Sequence, residues 1–156
     1  MTTIHLTVTT PVAPERIIHA FTDFTPQRLH TFPNIDQRYY QVHAVDATSA
    51  EVTEGSALFG GVWERAHYDW SPPGEITITV QASNAFTCDS FWHYRITAGE
   101  NGGSHVDFTV HRVGKNLKGR VLATLLRVFG RRIFRQDLDQ TLGRLPQESP
   151  ATSTCP

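Results

Sequence analysis

Between Ile4 and Val113 apolar and polar residues alternate with a period of two, and turn-forming residues cut the alternation into seven short runs. A backbone with that period presents one apolar and one polar face, so the chain has to form a sheet that is dry on one side and wet on the other. "IHLTVTT" sets Ile4, Leu6 and Val8 against His5, Thr7 and Thr9; "YYQVHAV", "AEVTEGS", "VWERAHYDW", "EITITVQ", "SFWHYRIT" and "SHVDFTVHRV" follow. Two connections are tight enough to set a register. A hairpin closed at "SPPG" puts Trp70 opposite Ile76, Tyr68 opposite Ile78, Ala66 opposite Val80 and Glu64 opposite Ala82. One closed at "GENGG" puts Ile96 opposite Val106, Tyr94 opposite Phe108 and Trp92 opposite Val110. Joining the two predicts apolar rows across one face: Trp70, Ile76, Ile96, Val106; then Tyr68, Ile78, Tyr94, Phe108; then Ala66, Val80, Trp92, Val110. A slip of one residue would scatter these side chains to both faces. The other face then carries His67, Thr79, His93 and Thr109, with Arg95 positioned to pair with Asp107 across the strands.

Three segments lose the alternation. In "PVAPERIIHAFTDF", Pro14 suits a first helical turn, Glu15 favours that end of the dipole, and Ile17, Ile18 and Phe21 share a face. "TPQRLHTF" reads as a second short helix capped by Thr25 and ending before Pro33. The third is a long helix that opens with "LKGRVLATLLRVFGRRIF", Leu117 to Phe134. At 100° per residue Val121, Leu122, Leu125, Leu126, Val128, Phe129 and Ile133 fall within an arc of about 160°, with Arg120, Arg127 and Arg131 outside it. That arc is the face expected to be buried. Phe134, Leu138, Leu142 and Leu145 form a second stripe, which predicts a bend near Gly130 or a change of packing partner toward the short helices.

With 156 residues, 39% hydrophobic and 19% charged, the chain suits one globular domain over residues 1–146, followed by a polar tail, 147–156, without fixed structure. Cys88 and Cys155 make neither a disulfide framework nor a zinc spacing. No apolar run of about 18 residues offers an integral membrane segment, and "MTTIHLTVTT" lacks the order of a signal peptide, so a cytoplasmic location is expected. The net charge of −1 conceals an asymmetry, since residues 1–114 carry six Lys/Arg against twelve Asp/Glu and residues 115–144 carry eight against two. The acidic body is a sufficient partner for the basic helix; an anionic surface reached through Arg120, Arg127, Arg131, Arg132 and Arg135 is the less favoured reading.

In "TPVAPERIIHAFTD", "VTEGSALFGGVWERAHYDW" and "GSHVDFTVHRVGKNLKGRVLATLL" the chain resembles the helix-grip superfamily that includes START domains, Bet v 1-type proteins and bacterial polyketide cyclase/dehydrase-like proteins, over residues 2–145. The resemblance implies an α+β helix-grip fold: a seven-stranded curved antiparallel sheet, two short helices between its first two strands, and a long C-terminal helix enclosed by the sheet. It also implies a cavity for an apolar ligand between sheet and helix.

The candidate ligand-binding residues follow from the inner face. Glu64 is the acidic residue on the apolar side of its strand, in a row with Ala82, Ser90 and Arg112. Glu64 and Arg112 either close the end of the barrel as a salt bridge or orient a polar head group. Glu64 and Tyr68 lie about 13 Å apart along the strand, too far to bond. Tyr68, Trp70, Trp92 and Tyr94 offer phenol or indole groups, or are ordinary core aromatics, beside Ile78 and Phe108 and facing Leu125 and Phe129 of the helix. His105, Asp107 and His111, with His5 nearby, share a face, but it is the solvated one, and no metal or other cofactor is expected. The glycines of "LFGG" and "ENGG" lack the helix and Lys-Ser/Thr of a phosphate loop, and no nucleophile elbow is present. The expected function is binding, with transport open, of a hydrophobic small molecule such as a lipid, polyketide or isoprenoid. The alternative is a polyketide cyclase, aromatase or dehydratase acting in the same cavity. Nucleic acid is not an expected partner, and a homodimer stays open.

Overall fold

The computed structural model describes residues 1–145, so the tail, with Cys155, lies outside the described residues. Strand β1 (Thr2–Thr10) leads into helix α1 (Pro14–Thr22) and a one-turn helix α2 (Arg28–Thr31); β2 (Gln41–Val45), β3 (Ser49–Ser56), β4 (Val62–Asp69), β5 (Glu75–Ser83), β6 (Phe91–Ala98) and β7 (Ser104–Arg112) follow, and α3 (Leu117–Arg144) ends the fold. The seven strands form one antiparallel sheet in the order β1-β7-β6-β5-β4-β3-β2. Ile4, Leu6, Val8, Val52, Ala66, Tyr68, Ile78, Val106, Phe108 and Val110 are buried on one face, as alternation requires.

The two hairpins adopt the expected pairs Tyr68–Ile78, Ala66–Val80, Ile96–Val106, Tyr94–Phe108 and Trp92–Val110. Two expectations of register need correction. β5 and β6 are offset by two residues, with Ile76 opposite Tyr94 and Ile78 opposite Trp92. Their connection is not a tight turn, and a shift of two keeps every side chain on its face. Glu64 faces Ser83, not Ala82, because a bulge admits Gln81 as an extra residue, leaving Gln81 and Ala82 both exposed and turning Ser83 inward. On the outer face Arg95 pairs with Glu75 at 3.0 Å, and Asp107 accepts from Thr7 Oγ1. His5, His105 and His111 each bond a threonine on the facing strand, at Thr109, Thr9 and Thr3. Thr25 does not cap α2 with its side chain; its carbonyl accepts from Arg28 N.

The largest correction concerns α3. Asn116 caps it by accepting from Gly119 N, and the helix runs unbroken through Gly130. Its buried face is Gly119, Leu122, Ala123, Gly130, Leu138, Thr141 and Leu142, while Val121, Leu125, Val128, Phe129 and Ile133 of the expected apolar face are exposed. Close approach accounts for this roll. A Cβ at Gly130 would run into Ile4 of β1 and one at Gly119 into the carbonyl of Ala85, so the helix seats where its side chains are smallest. Thr2 Oγ1 donates to the carbonyl of Ala123 at 2.8 Å across the same contact. Leu138, Leu142 and Leu145 pack with Ile17, Ala20 and Phe21 of α1, the change of partner that the second stripe predicts.

Candidate functional site

Between the sheet, α2 and α3 lies a cavity of about 250 Å³. Its walls are mostly aromatic and aliphatic: Phe21 and Phe32 from the short helices, Ala66, Ile78, Trp92, Tyr94 and Phe108 from the sheet, and Phe134 and Leu138 from α3. Tyr94 is held between Phe108, stacked at 4.8 Å, and Phe21, tilted at 4.8 Å. Its hydroxyl has no hydrogen-bond partner among the described residues, and burial pushes the phenol up from its usual range.

Two carboxylates enter this wall side by side. Glu54 of β3 and Glu64 of β4 are direct cross-strand partners, and both line the cavity. Like charges so placed repel unless each is neutralised, and each has its own arginine. Arg112, from the end of β7, grips both oxygens of Glu64 at 2.6 and 3.2 Å. Its guanidinium lies over the Trp92 ring at 3.5 Å and the Phe86 ring at 4.5 Å. Burial pushes the Glu64 carboxyl up, with Arg112 pulling against it, and burial draws the Arg112 pKa down. Arg112 Nε is the one buried side-chain polar atom without a partner among the described residues. The bulge builds this corner too: Ser83 Oγ accepts from Ala85 N and Phe86 N, folding the chain so that Phe86 covers Arg112.

Glu54 is served by Arg28 of α2, whose Nε donates to Glu54 and whose Nη2 donates to Tyr68 Oη at 3.0 Å; Tyr68 donates in turn to Glu54 Oε2 at 2.6 Å. Arg28 Nη1 donates to the carbonyls of Phe21 and Asp23, so the guanidinium ties the α1–α2 corner to the sheet. Phe24 and Phe32 cover it, each ring centroid 4.6 Å from its carbon. Burial opposes the Arg28 charge, but Glu54 and Tyr68 outweigh it and hold the group more firmly protonated than usual. Burial, followed by Glu54, raises the Tyr68 phenol well above its ordinary value. On the opposite wall Asp137 of α3 is half-buried, has no hydrogen-bond partner among the described residues, and has its carboxyl raised by burial.

Of the residues singled out in the sequence, Glu64, Tyr68, Ile78, Trp92, Tyr94, Phe108 and Arg112 line the cavity. Trp70 does not; it packs on Phe24 with ring centroids 6.0 Å apart, beyond the cavity's end. Leu125 and Phe129 lie on the outer side of α3, carried there by the roll of the helix. Arg28, Glu54 and Asp137 escaped the reading of the sequence. Glu54 was accessible to it, since it continues the inward stripe of Ala50 and Val52; Arg28 was not, because nothing local says that a one-turn helix folds back over β3.

No protein-family model and no curated protein matches the sequence. Solved structures do. The aromatase/cyclase Zhui from Streptomyces sp. R1128 superimposes with a TM-score of 0.75 at 14% identity, covering 91% of this chain and 92% of that one. A START superfamily protein from Mycobacterium smegmatis gives 0.72 at 15% identity, with coverage of 92% and 96%. The major latex-like protein 151 of Panax ginseng gives 0.61 at 10%, with coverage of 93% and 98%. The chain has the helix-grip fold that these structures share. At these identities the likeness is one of fold, and the chemistry has to be argued from the cavity.

Proposed function

We propose that the protein binds a hydrophobic small molecule, of polyketide, isoprenoid or lipid character, between its sheet and α3. The observation that carries this reading is the aromatic-lined cavity of about 250 Å³. Tyr94 Oη and the Asp137 carboxyl stand in its wall without hydrogen-bond partners among the described residues, ready to orient a polar group on an otherwise apolar ligand. The size favours a compact ring system or a single chain over a two-chain lipid. Titration with the fluorescent probe 1-anilinonaphthalene-8-sulfonate tests it, together with native mass spectrometry of the purified protein. Wild type should enhance the probe's fluorescence, and Ala66→Trp, which fills the cavity from β4, should abolish the enhancement. Equal enhancement by both proteins would sink the reading.

One observation favours a second reading, that of a cyclase, aromatase or dehydratase. Glu64 is a poor base because Arg112 occupies both its oxygens, but Asp137 is a carboxyl on the cavity wall with no hydrogen-bond partner among the described residues, placed to exchange a proton with a bound molecule. The similarity to an aromatase/cyclase structure is one of fold and adds only compatibility.

A further inference from the structure

The outward face of α3 is the least expected surface of the molecule. Val128 is 67% exposed, Phe129 55% and Val121 51%, and Leu117, Leu125 and Ile133 continue the stripe over four turns. Monomeric proteins do not leave so continuous an apolar strip in water without a use for it. Arg120, Arg127, Arg131, Arg132 and Arg135 lie along and within it, all exposed, and none of their side chains forms an ion pair or hydrogen bond among the described residues. The acidic body makes no direct ion pair with them among the described residues. No Asp or Glu occurs between Lys115 and Gln136.

A second element adjoins the first turn of this helix. The β3–β4 loop is tied to it by Lys118 Nζ, which donates to the carbonyl of Gly61 at 2.6 Å. At its tip Leu58 is 65% and Phe59 63% exposed. Phe59 adopts φ 53°, ψ 36°, a left-handed conformation that a bulky residue rarely takes. Its ring makes no aromatic or cation contact among the described residues.

We propose that this surface, the outer side of α3 with the Leu58–Phe59 tip, docks the protein onto an anionic lipid bilayer. The apolar side chains enter the interface and the arginines meet phosphate and carboxylate head groups, the composition of a helix that lies in the membrane plane without crossing it. Charge decides between occupants. A second copy placed face to face would set guanidinium against guanidinium, with only Asp139, beside Arg132 and Arg135, to relieve it on that side of α3, whereas an anionic bilayer supplies the opposite charge over the whole length. Nothing in the proposal depends on what the cavity holds.

The test is co-sedimentation of the full chain with vesicles of phosphatidylcholine alone and with about 30% phosphatidylserine, at salt from about 0.05 to 0.3 M. Binding is expected on the anionic vesicles only, falling as salt rises. Arg127→Gln with Arg131→Gln should weaken it about 25-fold, about fivefold for each charge. Val128→Ser with Phe129→Ser should weaken it by about tenfold or more, with an unchanged circular dichroism spectrum. No pelleting on anionic vesicles would overturn the proposal. So would binding indifferent to the Val128/Phe129 pair, the mark of a polyanion site. A dimer in sedimentation velocity that the same pair dissociates would overturn it as well.

Discussion

The two walls of the cavity are built by opposite rules. The sheet buries its large side chains and its charges, Tyr68, Ile78 and Phe108 beside Glu64 and Arg112. The helix buries Gly119, Ala123 and Gly130 with a few leucines, and turns Val121, Val128 and Phe129 outward. A residue on a strand is committed to a face by parity, so the apolar pattern and the packing cannot disagree without a bulge. A helix is free to roll about its axis, and its roll is set by how closely its backbone can approach what it packs on. Here β1 and the Ala85 carbonyl accept only the glycine side, about 100° from the centre of the most apolar arc.

The sheet wall gives the largest expected effect. Arg112→Met leaves Glu64 buried, desolvated and without the cation on both its oxygens. The loss should be about 3–5 kcal/mol in urea unfolding. Glu64→Leu combined with Arg112→Met removes both charges from the same place and should restore most of it. A single-variant loss below about 1 kcal/mol would mean that water reaches Glu64, and that this wall is not the closed one described here.

The helix wall is tested by two truncations about two turns apart. Leu122→Ala empties a site packed against Ala85, Phe86 and Ala123, and should cost about 2–4 kcal/mol. Phe129→Ala removes a larger side chain from solvent, and its melting curve should fall within about 0.5 kcal/mol of wild type. Equal losses at the two positions would place the Phe129 ring in the interior and restore the helix roll that apolar periodicity implies.

These contrasts mark where sequence is informative. Alternation put β1, β4, β6, β7 and β5 as far as its bulge on their correct faces, and it survived a two-residue error between β5 and β6 because that shift conserves parity. It brought Glu64 and Arg112 to one end of the cavity across two intervening strands, the salt bridge being the plainer of the two roles that their pattern allowed. For α3 the same kind of reasoning failed. Reading a helix by its greasiest side gives large residues heavy weight and glycine almost none, while close packing selects for glycine. The second stripe of Phe134, Leu138, Leu142 and Leu145 marked the true buried face, and it continues upstream through Gly130, Leu126, Ala123 and Leu122. Asp137 sits within that stripe next to Leu138, which is where a carboxylate among leucines asks for a ligand or a cost.

Asp137 offers the finest test of how the helix wall differs from the sheet wall, because its charge has no arginine. Burial raises its folded pKa above the unfolded value. A group shifted in that direction contributes its stability below the unfolded pKa and loses it as pH rises through the folded one. At neutral pH the ionised carboxylate is therefore a small net cost, which Asp137→Asn removes. The variant should melt about 2 °C higher than wild type at neutral pH, and the gain should vanish below the ordinary aspartate pKa of about 3.9. Glu64→Gln, on the sheet wall, should melt lower at neutral pH instead, since it leaves Arg112 without its counter-charge. If Asp137→Asn also melted lower, the carboxylate would have to be held by a cation or donor on the helix wall, and the two walls would be alike in how they keep charge.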